Sequence, residues 1–254
     1  MKVHLVIPIA LGVVLALVAA APEAGYAATA KSADAKAADA KAAAKVKKNQ
    51  AWVAPDFASY GVITIGMAPV SSIDHVEDNE KLFKNAIETG FGLLPGYKLQ
   101  ASSWFMDGVR RAGAAPALAV IEKTAFAGMP ADSVSLAALQ GKVQVQAVLF
   151  SRLSNWTRQV VDANTRGQSF TQVGGDFVLV SLKNGAVLWR GSFLEKGDGP
   201  YNDPNIADVT ERDAGGNSTA KQAQLEPPSY REVLEKLASR VSATLPKAPA
   251  PAKS

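Results

Sequence analysis

Hydrophobic and polar positions alternate along residues 174–196, GGDFVLVSLKNGAVLWRGSFLEK, on either side of Asn184-Gly185. Asn and Gly tolerate the positive φ that tight hairpin turns demand, so the pattern predicts two antiparallel strands. A two-residue loop pairs Leu182 with Val187 and Val180 with Trp189. It gathers Val178, Val180, Leu182, Val187, Trp189 and Phe193 on one face. A four-residue loop keeps that parity, whereas a one-residue slip scrambles it. Trp189 therefore reads as a core residue among aliphatic neighbours, not as a ligand-stacking platform.

Other periodicities fill in the elements. GVITIGMAPV (61–70) is apolar on both faces for most of its length and predicts a buried strand. Asp78 opens a helix with Leu82, Phe83, Ala86 and Ile87 on one face, ending at Gly90. Ser103 to Arg111 predicts a second helix, stopped by Gly113. PALAVIEK (116–123) fits helix or strand and is assigned a strand; Ser133 to Gln140 predicts a third helix. VQVQAVLFSRL (143–153) predicts a long strand, and 162–169 a polar connection. Residues 196–226 lack periodicity and read as a long polar loop. In SYREVLEKLASRVSATLP, Ser229 and Glu232 form a capping box. Tyr230, Val233, Leu234, Leu237, Val241 and Leu245 form a helical stripe, with Glu232 and Lys236 as an i,i+4 pair. The fold class expected from these elements is α/β (α+β), helices beside a sheet, with a C-terminal amphipathic helix packed on the sheet.

The two ends differ from the middle. A basic start, an apolar run from Leu5 to Val18 and the small residues of Gly25-Tyr26-Ala27 predict a signal peptide over 1–27. The run is short for a membrane span. Residues 28–50 read as an Ala/Lys-rich tether, 51–246 as a single domain and 247–254 as a Pro/Ala tail. The chain has no cysteine, so disulfides and a lipidation site are both excluded, and a periplasmic or exported, unlipidated protein is expected. Residues 28–48 carry six Lys against two Asp, while 49–246 carry 18 Lys and Arg against 20 Asp and Glu. The basic pI of about 9.2 thus resides in the ends, and a nucleic-acid partner is not supported. The tether suits either a spacer or a peripheral contact with an anionic envelope surface.

Catalytic constellations are sparse. The histidines are His4, within the signal peptide, and His75, and no G-x-S-x-G elbow occurs. His/Cys metal sites are excluded by count. Asp198, Asn202, Asp203, Asn205 and Asp208 cluster in sequence but fit no EF-hand spacing; they read as turn-formers, with a calcium site of Asp and Asn oxygens as the alternative. No phosphate-binding glycine loop precedes a helix. Asp74 and Glu77 read as a solvated helix approach. No catalytic residue, cofactor site or metal ligand is assigned. The residues assigned to partner contact are Tyr201, with Asp198 and Asp203 beside it, and Trp156 just past the long strand. Tyr supplies contact area at low entropic cost.

VITIGMAPV, MPADSVSLAALQGKVQVQAVLFSRLSNWT, VLVSLKNGAVLWRGSF and SYREVLEKLASRVSATLP together resemble one group. They are similar to the envelope lipoproteins whose α/β domain is shared by the curli secretion channel and the lipoprotein activator of a penicillin-binding protein. Gly185 and Trp189 match that group's hairpin pattern, Ser181 stands where Asp is frequent, and the lipidation cysteine is missing. The resemblance covers 61–246 and implies a mixed sheet without catalytic residues. The function expected is an exported, non-catalytic envelope accessory or assembly protein acting on envelope proteins. A small-ligand-binding periplasmic domain and a carboxylate-based envelope hydrolase stay open as alternatives.

Overall fold

The computed structural model describes residues 49–72, 76–162, 164–203 and 226–249. All fall in one compact unit of the chain. The strands are β1 (Gln50–Val53), β2 (Thr64–Met67), β3 (Ser71–Ser72), β4 (Lys98–Gln100), β5 (Ala147–Gln159), β6 (Gly167–Ser181) and β7 (Val187–Asn202). The helices are α1 (Glu77–Gly92), α2 (Ser102–Arg111), α3 (Ala115–Phe126), α4 (Ser133–Leu139) and α5 (Tyr230–Ala243). No described helix is long and apolar enough to cross a membrane.

The strands form one mixed sheet in the order β1-β7-β6-β5-β2-β4, with β3 beside β5. Hairpins make β5, β6 and β7 antiparallel, and β1 adds antiparallel to β7. The β2–β5 and β2–β4 pairs are parallel, which requires crossovers, and α1 to α4 lie in them. Each face of the sheet carries its own core. On one side α1 and α5 bring Phe83, Ile87, Leu237 and Val241 against Met67, Phe177, Leu179 and Trp189. On the other, α2, α3 and α4 bring Phe105, Ile121 and Leu139 against Phe150, Val178 and Val180. The C-terminal helix thus packs on the sheet as its stripe predicts, and Ser229 Oγ caps it by accepting from Glu232 N at 3.3 Å. The i,i+4 pair formed on α5 is Arg231–Glu235, at 3.6 Å.

Several local expectations are corrected. PALAVIEK is helical, within α3: Pro116 sits in the first turn, where its missing N–H costs nothing, and Leu118, Ile121 and Ala125 face inward. The apolar run at 61–70 contributes only the four residues of β2. β5 begins at Ala147 rather than 143: just before it, the exposed Gln146 caps the start of β2, its Oε1 accepting from Ile63 N and Thr64 N at 2.7 and 3.0 Å. The hairpin loop is four residues long: Ser181 N donates to Ala186 O and Gly185 N to Ser181 O, both at 2.9 Å, with Gly185 at φ +73. Parity then breaks beyond the loop. Val180 pairs with Val187 but Leu179 pairs with Trp189, so Leu188 is an extra, bulged residue. Trp189 is fully buried, yet on the α1/α5 face, opposite to Val178, Val180 and Leu182. Finally, residues 196–202 are strand, not loop, because they continue β7 along β6. Gly197 and Gly199 leave room there for Pro228 and Pro227 to lie against the strand.

Candidate interaction surface

The three long strands outrun the helices, and the two faces of this overhang differ. Register places Trp156, Val173 and Glu195 in one row and Arg158, Thr171 and Gly197 in the next, both on the α5 face. Here the chain re-enters from residue 226 and covers the strands. Trp156 stacks on Tyr230, ring centroids 4.2 Å apart at 15°. Thr171 Oγ1 donates to Pro228 O at 2.6 Å. Arg158 pairs with Glu226 at 3.2 Å and Arg240 with Glu195 at 2.9 Å. Burial raises the Tyr230 hydroxyl pKa, with Arg158 opposing.

The other face starts in a shielded border. α3 ends at Phe126, whose ring lies 3.9 Å under the Arg152 guanidinium and whose carbonyl accepts from Arg190 at 2.8 Å. Burial lowers the Arg190 pKa; Asp176 opposes this and Arg152 reinforces it. Beyond Arg152 and Asp176 the cross-strand rows are Asn155, Gly174 and Leu194, then Thr157, Gln172 and Lys196, then Gln159, Phe170 and Asp198, and last Gln168 with Tyr201. Thr157, Gln159, Gln168, Lys196, Asp198 and Tyr201 are exposed, and Asn155, Phe170, Gln172 and Leu194 are half-buried. Among the described residues, no helix covers these rows.

Contacts within the face hold its side chains flat. Gln172 Nε2 donates to Asn155 Oδ1 at 3.2 Å, and Gln168 Nε2 to Gly199 O at 3.1 Å. Lys196 sits 4.7 Å over the Phe170 ring and pairs with Asp198 at 2.6 Å. From Asp176 to Gln168 the face runs ~27 Å, at ~3.3 Å per residue, and is three strands or ~14 Å wide. Its ~400 Å² is about half of one partner's share of a standard protein interface.

The assigned contact residues spread over this overhang. Tyr201 and Asp198 lie on the open face, Tyr201 with 57% of its surface exposed. Arg166 Nε donates to the Tyr201 hydroxyl at 3.0 Å and pairs with Asp203 at 3.3 Å, and these two contacts, in that order, raise the Arg166 pKa. Asp203 is thus held at the tip, beside Asn202, whose amide donates to the carbonyls of Asp162 and Thr165 at 3.2 and 2.8 Å. Trp156 faces the other way, under α5. Asn205 and Asp208, and likewise Asp74 and His75, lie outside the described residues. Phe170 and Gln172 were missed, although alternation in GQSFTQVGG (167–175) signals them, and Leu194 was missed as well.

The described carboxylates with resolved roles are caps and ion pairs. Asp132 Oδ1 accepts from Ser135 N at 2.9 Å, which lowers the Asp132 pKa, and Glu88 Oε1 accepts from Ser102 N at 2.9 Å at the start of α2. Among the described residues no group of His, Asp and Glu is placed to hold a metal.

No family model matches the chain, and no curated protein does. Solved structures similar to it include three bacterial proteins at low identity. Lipoprotein GNA1162 from Neisseria meningitidis is 20% identical, over 57% of this chain and 89% of that one, with a TM-score of 0.36. A minor lipoprotein from Acinetobacter baumannii is 9% identical, over 71% and 87%, with a TM-score of 0.29. E. coli LpoB is 12% identical, over 76% and 81%, with a TM-score of 0.29. The functional reading rests on the chain's own geometry.

Proposed function

We propose that this chain is an exported, non-catalytic accessory protein of the bacterial envelope that docks protein partners on the open face of its strand overhang. One observation carries the reading: β5, β6 and β7 extend beyond the helices, with one face covered by residues 226–230 and the other left bare by the described residues. A sheet face left without a layer is where a partner supplies one. Phe170, Leu194 and Tyr201 offer apolar area among hydrogen-bonding Asn155, Gln168 and Gln172, the mixture found at non-obligate interfaces. Tyr201 and Asp198 are direct contacts in this reading, and Trp156 and Asp203 fix the shape of the overhang. The modest area fits a contact strengthened by further chain.

The test is cross-linking in cells with the paired substitutions Thr157→Glu and Gln172→Glu. Both lie on the bare face, so circular dichroism should match the unaltered protein, while the principal cross-linked envelope partner should be lost. Retention of that partner at full yield would assign docking elsewhere.

A further inference from the structure

We propose a second binding site, at the outer end of α2, for an acidic glycan, a chain of sugar rings bearing carboxylates. Trp104, Gly108 and Arg111 stand at i, i+4 and i+7 and so share one face of α2. Trp104 is 70% exposed, a costly placement for the largest apolar side chain, and its indole has no hydrogen-bond or ring partner among the described residues. Gly108 keeps the strip beside it flat: a methyl group there would meet only Val143, at 3.7 Å. One turn on from Trp104, which stands outside its lining, begins a cavity of about 540 Å³ lined by Phe105, Gly108 and Val143 together with Gln100, Arg111, Lys142 and Gln144.

The charges of the lining are uncompensated from within. Among the described residues no carboxylate lines the cavity. Asp107 turns to Arg110 at 3.4 Å, and Arg111 uses its Nε on the Asp107 carbonyl at 3.2 Å, leaving its terminal nitrogens free for a ligand. Lys142 has no ion-pair partner among the described residues. The segment carrying Lys142 and Gln144 is pinned at both ends, which fixes the lining in advance. Gln140 Nε2 donates to the carbonyls of Leu182 and Lys183 at 2.6 and 3.0 Å, and Gln146 Oε1 holds Ile63 N and Thr64 N.

Three chemistries meet here. An indole face packs on a flat, C–H-rich surface. Amides bond groups that both donate and accept, as hydroxyls do. A guanidinium forks a carboxylate. An acidic sugar presents all three on one ring, whereas an acidic peptide or a phosphate presents mainly the anion. The rise from Trp104 to Arg111 is ~10 Å, about two sugar rings, at ~1.5 Å per residue.

Calorimetry on the full chain tests this with oligogalacturonate as probe, and with maltohexaose and poly-glutamate as comparators. Oligogalacturonate should bind, and maltohexaose should bind at least about tenfold more weakly. Trp104→Ala and Lys142→Glu, both at exposed positions, should each weaken oligogalacturonate at least about tenfold with unchanged circular dichroism. Absence of oligogalacturonate binding, or binding indifferent to both substitutions, would overturn the proposal. Equal binding of poly-glutamate, insensitive to Trp104→Ala, would overturn it in favour of a plain anion site for acidic peptides.

Discussion

Removing the Trp189 side chain should be among the most damaging single changes to the domain. It is fully buried, with the rings of Phe91, Phe177 and Phe193 at centroid distances of 6.4, 6.4 and 6.5 Å. Burying ~150–250 Å² of aromatic side chain at ~25 cal/mol/Å² stabilises by ~4–6 kcal/mol, and aromatic pairs add ~0.5–1.5 kcal/mol each. Against this, no acceptor among the described residues reaches the buried indole Nε1, which costs ~1–3 kcal/mol. Compaction of the unfolded chain trims the gain further. The balance for Trp189→Ala is a loss of ~3–5 kcal/mol, the range of buried aromatic truncations. Trp189→Phe keeps the ring contacts and deletes the unpartnered donor, so its loss should be much smaller, ~1–2 kcal/mol. Urea unfolding followed by far-ultraviolet circular dichroism reads both, and at an m-value of ~2 kcal/mol/M the Ala midpoint should fall by ~2 M. An Ala variant with an unchanged midpoint would refute the burial argument. A Phe variant as unstable as Ala would refute the balance drawn for the indole nitrogen.

Three further outcomes are expected. Tyr97 donates its hydroxyl to Pro246 O at 2.7 Å, and burial pushes its pKa up to about 12. A folded value above the unfolded ~10 gives stability that is complete below pH ~10 and lost as pH rises toward 12. Urea midpoints across that window should fall, and Tyr97→Phe should flatten the decline. Ending the chain at Pro228 removes Val233, Leu234, Leu237 and Val241 from the α1/α5 core, so the product should be insoluble or lack near-ultraviolet dichroism; native-like spectra would free α5 for another role. Intact mass of protein taken from cells should place the mature N-terminus at Ala28, and retention of Met1 would contradict export by cleavage.

Legibility in the sequence followed the kind of interaction involved. α5 is set by local signals, a capping side chain and a stripe at helical spacing, and it forms where these place it. Alternation and apolar runs located strands of the sheet, while its mixed character was what the family resemblance implied. The face of Trp189 was not legible, because a single bulged residue, Leu188, reverses parity, and bulges are set by packing across strands rather than by local composition. α3 was misread because an eight-residue window of Ala, Val, Ile and Leu fits either period, and length alone separates them. The overhang was hidden for another reason. GDGPYN carries the residues of a turn, yet Gly197 and Gly199 are there so that Pro227 and Pro228, thirty residues on, can approach the strand. A long-range contact of that kind leaves no periodic trace. Tyr201 and Asp198 were legible as composition, while their place on one bare face with Phe170 and Gln172 came only from register.

Position-resolved photo-cross-linking in cells tests the central claim most directly. A photoreactive residue would be placed in turn at Thr157, Gln172 and Tyr201 on the open face, and at exposed Ala137 on α4 as reference. The three open-face positions should trap the same envelope protein, with no such adduct from position 137. Adducts at 137 equal to those on the open face, or none from any strand position while 137 captures a partner, would contradict docking on the strand overhang.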